Sequence, residues 1–180
     1  IGATVDGDNG TLQNPAATAD DLNGTDDEDG ITTLPALATN SSSYSVTLNN
    51  VNNTTGSNAN LIGWIDFNQD GIFSSTEAAS TTVATGASGN QTLTWSSIPA
   101  NIKAGTTNAR FRLSTDPLLT PSYSTGAAIN GEVEDHQLSV TGVVDYGDAP
   151  DASAGNASGD YTTTSANGGA SHTVVSSLRI

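Results

Sequence analysis

Residues 66–77 read Asp-Phe-Asn-Gln-Asp-Gly-Ile-Phe-Ser-Ser-Thr-Glu. This is D-x-N-x-D-G-x5-E, the pattern of a twelve-residue calcium loop. Alternation lets the side-chain oxygens of Asp66, Asn68 and Asp70 converge on one point. Gly71 permits the sharp turn, the Ile72 carbonyl can add an oxygen, and Glu77 can close the shell with both carboxylate oxygens. Hard oxygen donors without His or Cys favour calcium over zinc or copper. A metal-free turn uses the same residue types, because Asp, Asn and Gly dominate turns. The loop is entered through Leu61-Ile62-Gly63-Trp64-Ile65, which reads as a strand with no helical period. The sequence therefore predicts an EF-type loop on a β scaffold, a fixed structural site.

The elements that must hold this loop are short β-type runs separated by turn-rich segments. Candidate strands are Ile31–Leu37, Tyr44–Asn49, Leu61–Phe67, Gln91–Trp95, Asn108–Ser114, Glu132–Val144 and His172–Ile180. Such spacing predicts an all-β protein, a β-sandwich of antiparallel sheets with calcium-binding loops. In Arg110-Phe111-Arg112-Leu113 one face carries the arginines and the other Phe111 and Leu113. The expectation is that Arg110 and Arg112 pair with Glu132 and Glu134.

The 180 residues are enough for one domain or a divided one. There is no Cys and no Met, so neither disulfide nor soft-metal chemistry is possible. A secreted bacterial protein stabilised by calcium would look like this. The formal charge is −15, with only Lys103, Arg110, Arg112 and Arg179 cationic. That balance argues against nucleic acid and anionic membrane as partners, and calcium would offset the self-repulsion. No transmembrane run, signal peptide or initiator Met is present, and Ile1 reads as an internal or processed start.

Three more acidic motifs are Asp26-Asp27-Glu28-Asp29-Gly30, Gly131-Glu132-Val133-Glu134-Asp135 and Asp145-Tyr146-Gly147-Asp148-Ala149-Pro150-Asp151. Asp26, Asp27, Asp29, Asp145 and Asp148 together suggest a second cation site or salt-bridge cluster; a pair of solvated loops explains them equally well. With Trp64–Gly71 and the Ala109–Ser114 strand, these motifs give a chain that resembles the GEVED domain family. The resemblance implies a β-sandwich module of large bacterial surface and secreted proteins, often repeated in tandem, with no established enzymatic activity.

In that family Asp-Tyr-Gly-Asp-Ala-Pro-Asp usually opens the module. Here it follows the Gly-Glu-Val-Glu-Asp motif, and Gly169-Ala170-Ser171-His172 comes after it. Ile180 looks equivalent to Ile1, a period of about 179 residues. The expected organisation is a sandwich body over 1–144 and an opening segment over 145–180, acting as linker or donated strand. That segment would complete a neighbouring repeat or protomer, head to tail, with Val143–Tyr146 as hinge. A tail outside the fold and closure within the same module are the competing readings.

These features predict a calcium-stabilised structural repeat of an extracellular bacterial fibre or cell-surface adhesin. The alternative is a calcium-dependent, lectin-like module that binds cell-surface glycans, with Trp64, Trp95, Tyr44, Tyr123, Tyr146 and Tyr161 as a sugar-stacking platform. Buried aromatics would favour the first, exposed ones the second. An enzyme is not expected. His136, beside Asp135, and His172 are the only histidines. Gly-x-Ser-x-Gly, His-Glu-x-x-His and phosphate-loop motifs are absent, and calcium ligation accounts for the carboxylates better than glycoside hydrolysis does.

Overall fold

Among the described residues nine strands follow in chain order, and the longer core strands alternate apolar with polar residues. The nine are β1 (Leu37–Ala38), β2 (Tyr44–Asn52), β3 (Ala59–Ile65), β4 (Ala78–Val83), β5 (Ser88–Trp95), β6 (Gly105–Ser114), β7 (Glu132–Thr141), β8 (Val144–Tyr146) and β9 (Ser171–Thr173). The structure, a computed structural model, describes residues 1–2, 13–17, 30–151 and 160–178. Among the described residues there is no α-helix; two single 3₁₀ turns occur, at Ser75–Glu77 and Ser165–Asn167.

Five strands form one sheet in the order β1-β7-β6-β3-β4, and β2 pairs with β5 in a second. The larger sheet is mixed, because β1 runs parallel to β7 while its other pairs are antiparallel. The expectation of wholly antiparallel sheets is corrected at that edge. β1 lies far from β7 in sequence and joins it only at Val140 and Thr141, so no hairpin dictates its direction.

The core lies between the two sheets. On β2, Tyr44, Val46 and Leu48 point inward, while Ser45 and Thr47 face outward and bond Thr94 and Thr92 of β5 at 3.0 Å each. From the larger sheet come Leu61, Ile65, Ala109, Phe111, Leu113, Leu138 and Val140. Each follows the two-residue period of a strand. Gly63 is the exception that lets the layers meet. A Cβ there would lie 2.8 Å from Phe111 Cε1 and 2.9 Å from Leu93 Cδ1.

β3 is buried on both faces, which explains its unbroken apolar run. Its outward residues Ile62 and Trp64 form a second cluster with Leu119, packed by Phe73, Ala78 and Tyr123. The loop 115–131 supplies that cover. Trp64 Nε1 donates to the Pro121 carbonyl at 2.8 Å, and Asn60 Nδ2 to that of Leu119 at 3.2 Å.

β4 was not among the expected strands. Ala-Ala-Ser-Thr-Thr-Val has little hydrophobic signal, yet it pairs with β3 over six residues. The expected strand Ile31–Leu37 is regular only at Leu37, and Glu132–Val144 breaks at Gly142-Val143 before β8. β8 and β9 form a two-stranded sheet of their own. No described helix is long and apolar enough to cross a membrane.

Candidate metal centre and the inward face of the GEVED strand

The segment 66–77 leaves the end of β3 and is fixed there from three sides. Asp66 N donates to Asn108 O at 3.1 Å, Thr107 Oγ1 donates to Asp66 O at 2.6 Å, and Lys103 N to Phe67 O at 2.9 Å. Trp95 Nε1 ties the far end by donating to Glu77 O at 2.8 Å. A rigid strand end and two neighbouring strands thus hold the loop.

Within it, the acidic side chains curl the backbone around themselves. Asp70 N donates to both Asp66 Oδ1 at 3.1 Å and Asn68 Oδ1 at 2.8 Å, so those oxygens lie on one side of the turn. Gly71 N donates to Asp66 Oδ2 at 2.9 Å, and Ile72 N to Asp70 Oδ1 at 2.8 Å. These are Asx-type turns in succession. Gly71 has φ +82°, which favours glycine. A carboxylate oxygen that accepts one N–H keeps a second lone pair, so Asp66, Asn68 and Asp70 fit a hard cation. Ile72 is exposed.

Glu77 has another task in this conformation. It is buried, and Oε1 accepts from Phe67 N at 3.0 Å and Asn68 N at 3.4 Å. Oε2 accepts from Ser74 N and Ser74 Oγ at 3.1 and 2.9 Å. The carboxylate stitches the two ends of the loop together. Among the described residues no three His, Cys, Asp or Glu side chains form a ready-made metal cluster.

The other candidate cation residues are not gathered. Asp26, Asp27 and Asp29 lie outside the described residues. Asp145 and Asp148 are exposed, the former in β8 opposite His172. Nearby, Asp151 organises its own turn. It accepts from Thr163 N at 2.7 Å, Thr164 N at 2.9 Å and Asn167 Nδ2 at 2.6 Å. The Thr163 amide first, then Asn167, holds its pKa well below the usual carboxylate range.

The expected pairing of Arg110 and Arg112 with Glu132 and Glu134 does not occur. The β6–β7 register sets Arg110 opposite Asp135, Phe111 opposite Glu134 and Arg112 opposite Val133. Glu132 and Glu134 therefore share the inward face with Phe111, and the arginines the outward face. Arg110 grips Asp135 through Nε and a terminal nitrogen at 2.7 and 2.6 Å and lies over the Phe73 ring. That hydrogen bond raises its pKa. Arg112 is buried; burial, then the charge of Arg110, lowers its pKa. Its guanidinium donates to the carbonyls of Tyr123, Thr125 and Gly126 at 3.0, 3.4 and 2.8 Å and so shapes the covering loop. The clean alternation of this strand gave the faces; it carried no information on the partners.

Asp116 is a further residue that sequence reasoning missed. It is buried and pins both ends of the covering loop, accepting from Leu118 N at 2.9 Å and Ile129 N at 3.0 Å. The motif glycine Gly131 has φ +106°, and a Cβ there would collide with the Leu113 carbonyl. The inward position of Glu132 and Glu134 did have a signal. Both stand an even number of residues before Leu138 and Val140, so they lie on the same face of the strand.

Fold and residues together define an all-β domain of two facing sheets with an acidic loop at one end. Residues 60–139 match the family model of the GEVED domain. The match takes in Trp64–Gly71, Ala109–Ser114 and Gly131–Asp135; the acidic runs at 26–30 and 145–151 lie outside it. No curated protein and no solved structure matches the chain.

Proposed function

We propose that this chain is a calcium-stabilised structural unit of an extracellular bacterial fibre or tandem-repeat surface adhesin, joined to its neighbours head to tail through residues 145–180. The carrying observation is that, among the described residues, β8 and β9 pair only with each other, in a sheet separate from the sandwich. Val174 N bonds Val143 O, and Val175 packs on the main core, so the segment remains tethered where β7 ends. Its strand residues are mostly exposed, as suits a segment that completes a second unit. Motif order agrees, since the family's opening motif follows the Gly-Glu-Val-Glu-Asp motif.

Calcium is the proposed ligand of Asp66, Asn68, Asp70, the Ile72 carbonyl and Glu77. Their support is the donor chemistry and the succession of Asx turns. Glu77 would complete the set by exchanging amide partners for the ion. Burial of Trp64, Trp95 and Tyr44 favours a structural role over a sugar-stacking platform. No reaction is assigned to the site.

The test compares the intact chain with one ending at residue 144 by sedimentation velocity in calcium. The intact chain extends into linear assemblies, and added peptide 145–180 caps them. A truncated chain that assembles as well as the intact one overturns the reading.

A further inference from the structure

Strand β7 carries Glu132, Glu134 and His136 on the face that continues into Leu138 and Val140. That face looks into the core. Glu134 is 1 % exposed, and the side chain of Glu132 is 6 % exposed. Each carboxylate has a partner at one oxygen only. His136 Nε2 lies 3.1 Å from Glu134 Oε2, and the Ile1 α-amino group meets Glu132 Oε2. The second oxygen of each, Oε1, is buried with no hydrogen-bond partner.

The two carboxylates stand two residues apart on one face of β7. A Cβ on Gly30 would lie 2.6 Å from Glu134 Oε1 and strike the Ile1 side chain, whose own amino group is on Glu132. Ile1 thus links the two carboxylates, with its nitrogen on Glu132 and its side chain beside Gly30, the neighbour of Glu134. Arg110 and Arg112 cannot serve them, because they occupy the opposite face and are held by Asp135 and the covering loop. Buried carboxylate oxygens without a donor are costly, and a bound cation is one of the few ways to offset that cost.

The geometry points to a second divalent-cation site on the inward face of β7, with Glu132 Oε1 and Glu134 Oε1 as its anionic ligands. The ligand class is a hard, oxygen-preferring cation, calcium foremost, which completes its shell with carbonyl oxygens and water. This site is separate from the 66–77 loop. Asp66 is bonded beside Asn108, whereas Glu132 stands opposite Leu113, five residues further along β6, or roughly 17 Å. The inference therefore stands or falls independently of the loop.

Calorimetric calcium titration of the full chain tests it, using wild type, Asp66→Ala and the double variant Glu132→Gln/Glu134→Gln. The double variant binds one ion fewer per chain than wild type, whatever Asp66→Ala does. Melting in chelator and in calcium provides a second arm that needs only the isosteric Glu134→Gln. In chelator that variant melts higher than wild type, because an amide costs less than a carboxylate to bury with one oxygen lacking a donor; in calcium it melts lower. Unchanged stoichiometry in the double variant overturns the site. So does a Glu134→Gln protein that melts lower than wild type in both conditions, which is the signature of a carboxylate acting only through His136 and its neighbours.

Discussion

Arg110 stands directly opposite Asp135 across the β6–β7 ladder and holds both of its carboxylate oxygens, at 2.7 and 2.6 Å. The pair faces the covering loop, not the core. Its side chains are 27 % and 38 % exposed, so solvent screens part of the attraction. A double-mutant cycle on Arg110→Ala and Asp135→Asn should give a coupling of about 0.5–1 kcal/mol. The cycle pairing Arg110→Ala with Glu134→Gln should give close to zero, because Glu134 is on the other face. Equal coupling in both cycles would contradict the register.

Two glycines should resist substitution for different reasons. Gly63→Ala drives a methyl into Phe111 and Leu93 where the sheets meet, and overpacking of this kind costs about 1–3 kcal/mol. Gly131→Ala meets backbone at the Leu113 carbonyl and adds the strain of φ +106°, so its loss should be larger. Gly86, at φ +77° with open space around it, should lose less than either. Urea unfolding of the three alanine variants checks the order.

Tyr44 is pushed up to about 12 by burial, and its hydroxyl donates to the Pro35 carbonyl at 2.7 Å. In the unfolded chain a tyrosine titrates near pH ~10. The stabilising difference is complete below that value. It is lost as pH rises toward 12, because the unfolded chain gives up its proton first. Melting temperature should fall through this window in wild type and fall less steeply in Tyr44→Phe. Parallel alkaline limbs in the two proteins would contradict the assignment.

Chelation should lower the melting temperature of the intact chain if the 66–77 loop holds calcium. At an ion concentration 100-fold above Kd, linkage gives about 2.7 kcal/mol per site. Asp66→Ala should lose one site's share of that response, since Asp66 also anchors Asp70 N and Gly71 N. Differential scanning calorimetry in calcium and in chelator measures both. A full response in Asp66→Ala would remove this loop as a calcium site.

Much of the sandwich was legible because its strands obey the two-residue period. Tyr44, Val46 and Leu48 alternate with Ser45 and Thr47, and Phe111 and Leu113 with the arginines. β4 was not legible, because Ala78–Val83 is small and polar and takes its conformation from pairing with β3. The parallel edge at β1 was equally hidden, since two residues carry no period. At the loop, the turn built on Asp66, Asn68 and Asp70 was legible, but not the amide partners of Glu77, which depend on how Ser74 and Phe67 fold over it. The arginine partners failed for a related reason. Strand alternation assigns faces within one strand, and only the register of Arg110 against Asp135 decides which faces meet.

Hydrogen exchange in a chain of two copies, joined so that Ile180 of the first stands in place of Ile1 of the second, tests the central claim most directly. If residues 145–180 complete the next unit, the segment at the junction is protected and the terminal one is not. Amides of β8 and β9, and those from Val174 to Leu178, should then exchange as two populations in equal amounts. A single population, exchanging as in the one-copy chain, would contradict the account.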